Sequence, residues 1–248
     1  MYHFFVSPEQ ITDTEVMIIG SDVNHIAHVL RMKIGEKIVV SDGNGASYCC
    51  AIQEIGRDAV KAALLDGQVS DSELPVEITL FQGLPKSDKM ELIIQKAVEL
   101  GASRIVPVEM ARCVVKLDAK KKSAKTARWQ AIAESAAKQS GRSVIPTVGA
   151  VMTFADALCE AEKLDMLFVP YECADSVRAF RDKLDGIRPG MRIGIFIGPE
   201  GGYETSEVEE AKAAGGEIVS LGKRILRTET AGIAALSICM FYMESNIE

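Results

Sequence analysis

From Val76 onward, short apolar runs alternate with segments that have the periodicity of amphipathic helices, and this alternation constrains the fold more than any other feature of the sequence. The helical segments include Met90–Ala102 and Ala124–Gln139, and a last one covers Ala231–Met243. The apolar runs are Val76–Leu84, Ser103–Met110, Met166–Val169, Arg192–Ile197 and Glu217–Leu221. Strands that alternate with helices along a chain predict a mostly parallel sheet covered by helices on both faces.

The first seventy residues have a different pattern, in which short apolar runs are separated by Gly, Asn and Asp. Close spacing of such runs and turns predicts a small β-barrel. Ser21 is a candidate cap for a helix over Val23–Leu30. The predicted strands are Phe4–Val6, Lys37–Ser41, Tyr48–Ile55 and Ala59–Leu65. The polar stretch Ser70–Pro75 ends in proline, so we place the domain boundary there, with domains at 1–72 and 73–248.

Charge is distributed unevenly along the 248 residues, which carry a formal net charge of −7. Residues 86–142 hold 13 Lys and Arg against 6 Asp and Glu, while the rest of the chain is acidic or balanced. One basic segment in an acidic chain indicates a local contact with a polyanion and excludes a protein that coats nucleic acid everywhere. The lysine run from Lys120 to Lys125, taken alone, is more typical of a solvated surface.

Other sequence signals are negative. No apolar run has the length of a membrane-spanning helix, and the first residues lack the charge and apolar pattern of a secretory signal. The six cysteines form no CxxC pair, and the three histidines form no ligand cluster. We therefore expect a cytoplasmic protein with reduced thiols, no membrane segment and no metal.

Two glycine-bearing loops follow successive apolar runs near the C-terminus: GPEGG (Gly198–Gly202), and the loop of LGKRILRTETA (Leu221–Ala231). A third predicted strand runs into PYEC (Pro170–Cys173). Ligands bind at the carboxyl ends of parallel strands, so these loops predict a ligand site. A single glycine loop is equally typical of a tight turn, and neither GxxxxGK[ST] nor GxGxxG is present in the expected context.

These segments resemble a known family. FIGPEGGYETSEVEEAKAAG and LGKRILRTETAGIAAL resemble the cofactor half of the SPOUT class of S-adenosylmethionine methyltransferases. More narrowly, the chain is similar to the RsmE family of 16S ribosomal RNA uridine-N3 methyltransferases. The other segments that carry the resemblance span nearly the whole chain: HVLRMKIGE (28–36), QGLPKSDKMELIIQKAVELGASRIVPV (82–108) and RWQAIAESAAKQSGR (128–142).

The resemblance implies an α/β fold in which an N-terminal PUA-like β-barrel precedes a SPOUT domain with a C-terminal trefoil knot. It also implies a homodimer that acts on 16S ribosomal RNA in the 30S subunit and forms m3U1498. Many relatives carry arginine just before the N-terminal Phe-Phe pair, where this chain has His3. A contact with RNA at that position is therefore not implied.

Residue roles are implied by the same resemblance. Cofactor contacts fall in the loops 167–172, 198–202 and 221–231. The implied S-adenosylmethionine contacts are Leu167, Pro170, Tyr171, Gly198, Pro199, Gly201, Gly202, Leu221, Gly222, Ile225, Leu226, Thr230 and Ala231. The implied RNA contacts are Arg31, Lys33, Lys86, Lys89, Arg128, Gln139, Ser140 and Arg142.

Methylation of uridine N3 requires removal of a proton from the Watson–Crick edge of an unpaired base. Our hypothesis is that Arg227 stabilises the uridine anion, while Glu229 or Glu200 orients groups or takes the proton. Two alternatives remain open: a knotted methyltransferase acting on ribose or another base, and a non-catalytic RNA-binding assembly factor.

Overall fold

The computed structural model describes residues 1–69, 72–172 and 177–246. The chain divides into two compact units. The N-terminal unit comprises Met1–Glu73 together with Ala137–Ile145, and the C-terminal unit comprises Leu74–Ala136 and Pro146–Glu248. The boundary predicted from the sequence, between residues 72 and 73, places the segment Ala137–Ile145 in the second domain. In the structure this segment belongs to the N-terminal unit.

The N-terminal unit is built on five strands. Their bounds are β1 Tyr2–Phe5, β2 Glu15–Ile19, β3 Lys37–Ser41, β4 Ala46–Ile55 and β5 Ala59–Val69. The order in the sheet is β1-β3-β4-β5-β2, in which β1 is parallel to β3 and the other pairs are antiparallel. Alternate residues such as Val16, Ile18, Ile38 and Val40 are buried, and this period of two is what places them in one core.

Two local predictions for this unit need correction. Strand β2 is absent from the predicted strands, although Val16–Ile19 is an apolar run, and it pairs with β5, which is distant in the sequence. The helix α1 (Ser21–Asn24) continues as a π-helical turn over His25–Val29, and Gly20 rather than Ser21 occupies the cap position. Gly20 has φ +76°, a conformation that glycine adopts without strain.

The C-terminal unit contains a parallel sheet, as the alternation predicts. Its strands are β6 Glu77–Gly83, β7 Arg104–Glu109, β8 Thr147–Val148, β9 Met152–Thr153, β10 Met166–Pro170, β11 Arg192–Ile197 and β12 Glu217–Val219. The order is β12-β10-β11-β6-β7-β8, with β9 also paired to β7, and each of these pairs is parallel. The central strands are almost wholly buried, and the rings of Phe81 and Phe196 stack with centroids 5.2 Å apart.

Helices connect these strands. They are α2 Lys89–Glu99, α3 Ala119–Ser140, α4 Phe154–Ala161, α5 Val177–Leu184, α6 Thr205–Ala213 and α7 Thr228–Asn246. The last helix begins three residues before the predicted start at Ala231, so the Thr228–Glu229–Thr230 stretch forms its first turn. The last turn of α3 belongs to the N-terminal unit.

The described residues contain neither a candidate membrane span nor a candidate metal site. No helix among them is long and apolar enough to cross a membrane. No group of three or more His, Cys, Asp or Glu residues among them could hold a metal ion. Cys49, Cys50, Cys113, Cys159 and Cys239 are free thiols, and Cys173 lies outside the described residues.

Candidate functional site

A cavity of about 520 Å³ lies in the C-terminal unit, where β10, β11 and β12 end and α7 begins. It is lined by Lys89, Pro170, Tyr171, Glu172, Ile197, Gly198, Pro199, Glu200, Gly201, Gly202, Tyr203, Ser220, Leu221, Gly222, Arg224, Ile225, Leu226, Arg227, Thr228 and Ala231. Its volume is within the range of sites for small molecules and cofactors. The three loops predicted from the sequence therefore form one cavity.

Two positions of the GPEGG loop disfavour side chains, Gly201 because of close packing and Gly202 because of its backbone conformation. A β-carbon added to Gly201 would lie 2.8 Å from Cβ of Arg112. Gly202 has φ +68°, which side chains disfavour. The next residue, Tyr203, is buried and donates its hydroxyl proton to the carbonyl oxygen of Phe196. The loop backbone is thus fixed on both sides and forms a wall of the cavity.

Arg112, in the segment after β7, holds this loop from outside the cavity. Its Nε and one terminal nitrogen donate to the two carboxylate oxygens of Glu204, at 2.9 and 3.2 Å. Its other terminal nitrogen donates to the carbonyl oxygen of Gly201 at 3.1 Å. Hydrogen bonding to Glu204 raises the pKa of Arg112, and the guanidinium lowers the pKa of Glu204. Glu204 is also the N-cap residue of α6, where it forms a capping box with Glu207.

Thr228, the first residue of α7, joins three elements by hydrogen bonds. Its hydroxyl donates to the carbonyl oxygen of Gly198 at 2.7 Å and accepts from Nε2 of Gln82 at 2.8 Å. Both side chains are buried, with Thr228 5% exposed and Gln82 fully buried. The end of β6, the end of β11 and the start of α7 therefore have a fixed relative position at the cavity.

Lys89, the first residue of α2, contacts two carboxylates at the cavity. Its Nζ lies 3.1 Å from an oxygen of Glu200 and 3.1 Å from an oxygen of Glu229. The backbone N–H of Lys86 also donates to Glu200, at 3.1 Å. Hydrogen bonding to Glu200 and then to Glu229 raises the pKa of Lys89 above its ordinary value. The ammonium is therefore charged across the neutral pH range.

The protonation state of Glu200 follows from opposing effects. Burial acts to raise its pKa, but hydrogen bonds from its own backbone N–H, from Lys89 and from the Lys86 N–H together lower it below the ordinary value. Glu200 is thus an ionised carboxylate whose charge is already neutralised by a neighbour. Such a group is a weak proton acceptor, which argues against Glu200 as the general base.

The loop before α7 brings further cationic and apolar groups to the cavity. Arg224 and Arg227 line it and are exposed. Ile225, between them, is 82% exposed. Within the described part of the chain, neither arginine side chain has an ion pair or hydrogen bond to another residue. Their positions are consequently less fixed than that of Lys89.

Most of the predicted cofactor contacts come together in the cavity. Two predicted contacts, Leu167 and Thr230, are not among the residues that line the cavity. Leu167 is buried in the sheet against Gly194, whereas Thr230 is exposed. Glu229 does not line the cavity either, but it forms an ion pair with Lys89, which does. Three lining residues lie outside the predicted loops and the predicted RNA contacts: Ile197, Tyr203 and Ser220. Glu172, Arg224 and Thr228 lie in the predicted loops but had no role assigned individually.

The predicted RNA contacts differ in exposure. Arg142 is only 4% exposed, and its guanidinium forms an ion pair with Glu73 within the N-terminal unit. It therefore is not an exposed cation. Arg128 is exposed and pairs with Glu91, and Lys89 is paired as described above. The other predicted contacts are exposed: Arg31, Lys33, Lys86, Gln139 and Ser140.

The fold and the cavity together define the class. Residues 72–240 match the family described as RNA methyltransferase domain, and residues 18–65 match the RNA methyltransferase PUA domain. The first match covers more than half of the chain and includes every residue that lines the cavity. The chain thus has an N-terminal PUA domain followed by an α/β methyltransferase domain.

Similarity to particular relatives identifies the family within this class of methyltransferases. The chain is 37% identical over 247 residues to ribosomal RNA small subunit methyltransferase E of Bacillus subtilis, covering 98% of this chain and 96% of the relative. It is 33% identical to the protein of the same name from Synechocystis, covering 98% and 78%. A crystal structure of the Neisseria gonorrhoeae ribosomal RNA small subunit methyltransferase E bound to S-adenosyl methionine superposes with TM-score 0.80 and 36% identity, covering 96% of each chain. The chain belongs to the ribosomal RNA small subunit methyltransferase E family, which confirms the resemblance.

Proposed function

We propose that this protein transfers the methyl group of S-adenosylmethionine to N3 of a uridine in 16S ribosomal RNA, forming m3U1498. The observation that carries the proposal is the single cavity formed by the loops after β10, β11 and β12, in a chain of this family. The S-adenosyl methionine present in the Neisseria gonorrhoeae structure supports the choice of methyl donor.

The residues of the cavity suit S-adenosylmethionine. Peptide groups at Gly198, Gly202, Leu221 and Gly222 offer donors and acceptors for the adenine and the amino-acid portion, and Tyr171, Leu226 and Ala231 offer apolar contact. The cofactor, when bound, supplies a methyl group already activated by a sulfonium. The protein must then mainly align it with the attacking nitrogen.

We propose that the exposed polar side chains among the predicted RNA contacts bind ribosomal RNA. Arg31, Lys33 and Gln139 lie in the N-terminal unit, and Lys86 and Arg128 in the C-terminal unit. Lysine and arginine neutralise phosphates and release counterions, so binding by these residues should weaken as salt increases. Arg142 is better explained as the partner of Glu73.

Helix α7 supports the proposal of a homodimer. Its apolar residues lie on more than one face: Leu236 and Met243 are buried, Ile233 and Ile238 are half-buried, and Phe241 is 72% exposed. A second copy that covers this surface would remove it from water. Because the chain belongs to this family, we also propose that it has a C-terminal trefoil knot and that it is located in the cytoplasm.

Two measurements test the proposed function. Calorimetric titration with S-adenosylmethionine should give one binding site per chain, and absence of binding would exclude the enzymatic function. Labelled cofactor and 30S subunits should then give a label on N3 of one 16S uridine, located by nucleoside mapping. A label on ribose or on another base would instead assign the chain to a different RNA methyltransferase activity, and binding without transfer would indicate an assembly factor.

A further inference from the structure

Lys89 is the cation whose position in the cavity is best defined, although sequence reasoning assigned it only to RNA binding. We propose that Lys89 is a catalytic residue that stabilises the negative charge on the uracil as the N3 proton leaves. This inference rests on the proposed function of uridine-N3 methylation. It gives Lys89 a role that the hypothesis from the sequence gave to Arg227.

The geometry around Lys89 fixes an ammonium in the cavity wall. Glu200 comes from the loop after β11 and Glu229 from the first turn of α7, and each has an oxygen 3.1 Å from Nζ. An ammonium has three N–H donors, so it keeps the capacity for a third partner after contacting two carboxylates. The side chain is 29% exposed and lines the cavity, and a substrate can therefore reach it.

The charge that develops during the reaction lies next to the reacting nitrogen. Uracil N3 is flanked by the carbonyl oxygens O2 and O4, which share the negative charge once the proton has left. A cation that is held in place before the reaction stabilises such a charge without reorganisation, and the effect is larger in a site that excludes water. For transfer, N3 must come within about 3–3.5 Å of the methyl carbon, which brings one of these oxygens into the same cavity.

The other charged groups that line the cavity are less suited to this role. Arg224 and Arg227 are exposed, and no ion pair fixes either side chain within the described residues. Glu172 is a carboxylate and would repel the uracil anion. The lowered pKa of Glu200 also makes it a poor acceptor for the N3 proton.

The reaction then needs no protein carboxylate as base. The N3–H bond breaks when a hydroxide ion from the solvent takes the proton and becomes water, which leaves the electron pair on N3 and the charge on O2 and O4 beside Lys89. The electron pair on N3 forms the new N3–C bond as the C–S bond of the sulfonium breaks. The electron pair of that bond returns to sulfur, and both charges are neutralised.

The test compares uridine with 5-fluorouridine at the target position, because the fluorine withdraws electrons and makes N3–H more acidic. Lys89→Met should lower kcat on 30S subunits with normal RNA roughly 100- to 1,000-fold, the usual effect of losing one fixed donor to a developing anion. With 30S subunits that contain 5-fluorouridine, the difference between wild type and Lys89→Met should become clearly smaller. Lys89→Arg keeps the charge and should recover part of the rate.

Binding measurements separate this role from others. Lys89→Met leaves Glu200 and Glu229 without their shared cation and should lower the melting temperature, so kcat is measured well below that temperature and at saturating S-adenosylmethionine, whose affinity is followed by calorimetry. Lys96→Met is the matched control, since Lys96 lies on the same helix, pairs with Glu99 and does not line the cavity. If wild type methylates N3 but the defect of Lys89→Met is the same on both RNAs, the inference is wrong. If Lys89→Met changes only KM for the 30S subunit, Lys89 binds RNA phosphate and is not catalytic. If the wild-type protein itself transfers no methyl group to N3, the proposed function is wrong.

Discussion

The hydroxyl of Thr228 donates to the carbonyl oxygen of Gly198 across 2.7 Å, and this bond joins the first turn of α7 to the first residue of the GPEGG loop. The two residues are separated by 30 positions in the sequence. The same hydroxyl accepts a hydrogen bond from Gln82 at the end of β6. One buried side chain thus sets the distance between two walls of the cavity.

Replacing Thr228 by valine should therefore affect both stability and cofactor binding. The isosteric change removes the Thr228 donor to the Gly198 carbonyl and the acceptor of one Gln82 N–H, while Gln82 keeps its bond to the carbonyl oxygen of Gly83, and this costs about 1–3 kcal/mol of unfolding free energy. Affinity for S-adenosylmethionine should fall as the two walls separate. Urea unfolding and calorimetry measure the two effects, and Thr228→Ser is the matched control because it keeps the hydroxyl. Equal behaviour of the two variants would contradict this explanation.

Arg112 should matter for cofactor affinity more than for stability. Its ion pair with Glu204 is exposed, and exposed pairs contribute little to folding. Lysine at this position cannot form two parallel bonds to Glu204 while also bonding to Gly201. We expect Arg112→Lys to weaken S-adenosylmethionine binding severalfold, with little change in melting temperature.

The control for Arg112 uses a similar pair elsewhere in the same unit. Arg192 forms an exposed ion pair with Asp165, and neither residue lines the cavity. Arg192→Lys should leave the affinity for S-adenosylmethionine unchanged. If both variants weaken binding to the same extent, the effect is not specific to the support of the GPEGG loop.

Arg142 should be required for stability rather than for RNA binding. Its buried guanidinium pairs with Glu73, and removal of one partner from a buried pair costs about 3–5 kcal/mol. Arg142→Met should therefore lower the melting temperature substantially. Arg128→Met removes an exposed partner of Glu91 and should barely shift it. A stable Arg142→Met protein with weakened binding to 16S RNA would support the assignment from the sequence instead.

The sheet of the C-terminal unit was predictable because its signals are local. Strand β11 was predicted with its observed bounds, Arg192–Ile197, since an apolar run begins after a proline-glycine pair and ends at the glycine of GPEGG. Strand β12 ends two residues earlier than predicted, at Val219. It lies at the edge of the sheet, where there is a neighbour on one side only. The apolar pattern alone does not show at which residue that pairing ends.

The supports of the cavity were not predictable in the same way. Arg112 follows β7 in a segment without glycine or helical periodicity, so nothing local indicates that it reaches Glu204. Lys89 and Glu229 are far apart in sequence and meet only because the sheet brings the start of α2 beside the start of α7. Such contacts depend on tertiary structure. The resemblance identified the loops of the cavity but not the residues that hold them.

His3 should make the N-terminal unit sensitive to acid. Its ring is hydrogen-bonded to Ser41 at 2.6 Å, and burial together with the nearby charge of Lys138 lowers the pKa of His3 from 6.5 to about 4. Because the folded pKa is lower, the unfolded chain takes up the proton first as pH falls. The stability that neutral His3 contributes is therefore complete above about pH 6.5 and is lost progressively as pH decreases towards 4. It also follows that His3 is uncharged at neutral pH and does not replace the arginine of relatives as a phosphate contact.

Unfolding free energies measured between pH 4 and 7 should vary less in His3→Gln than in wild type, with the same substitution at the exposed His28 as the matched control. A His3 ring that titrates near 6.5 by NMR would contradict this prediction, since burial and the charge of Lys138 would then not disfavour the protonated ring.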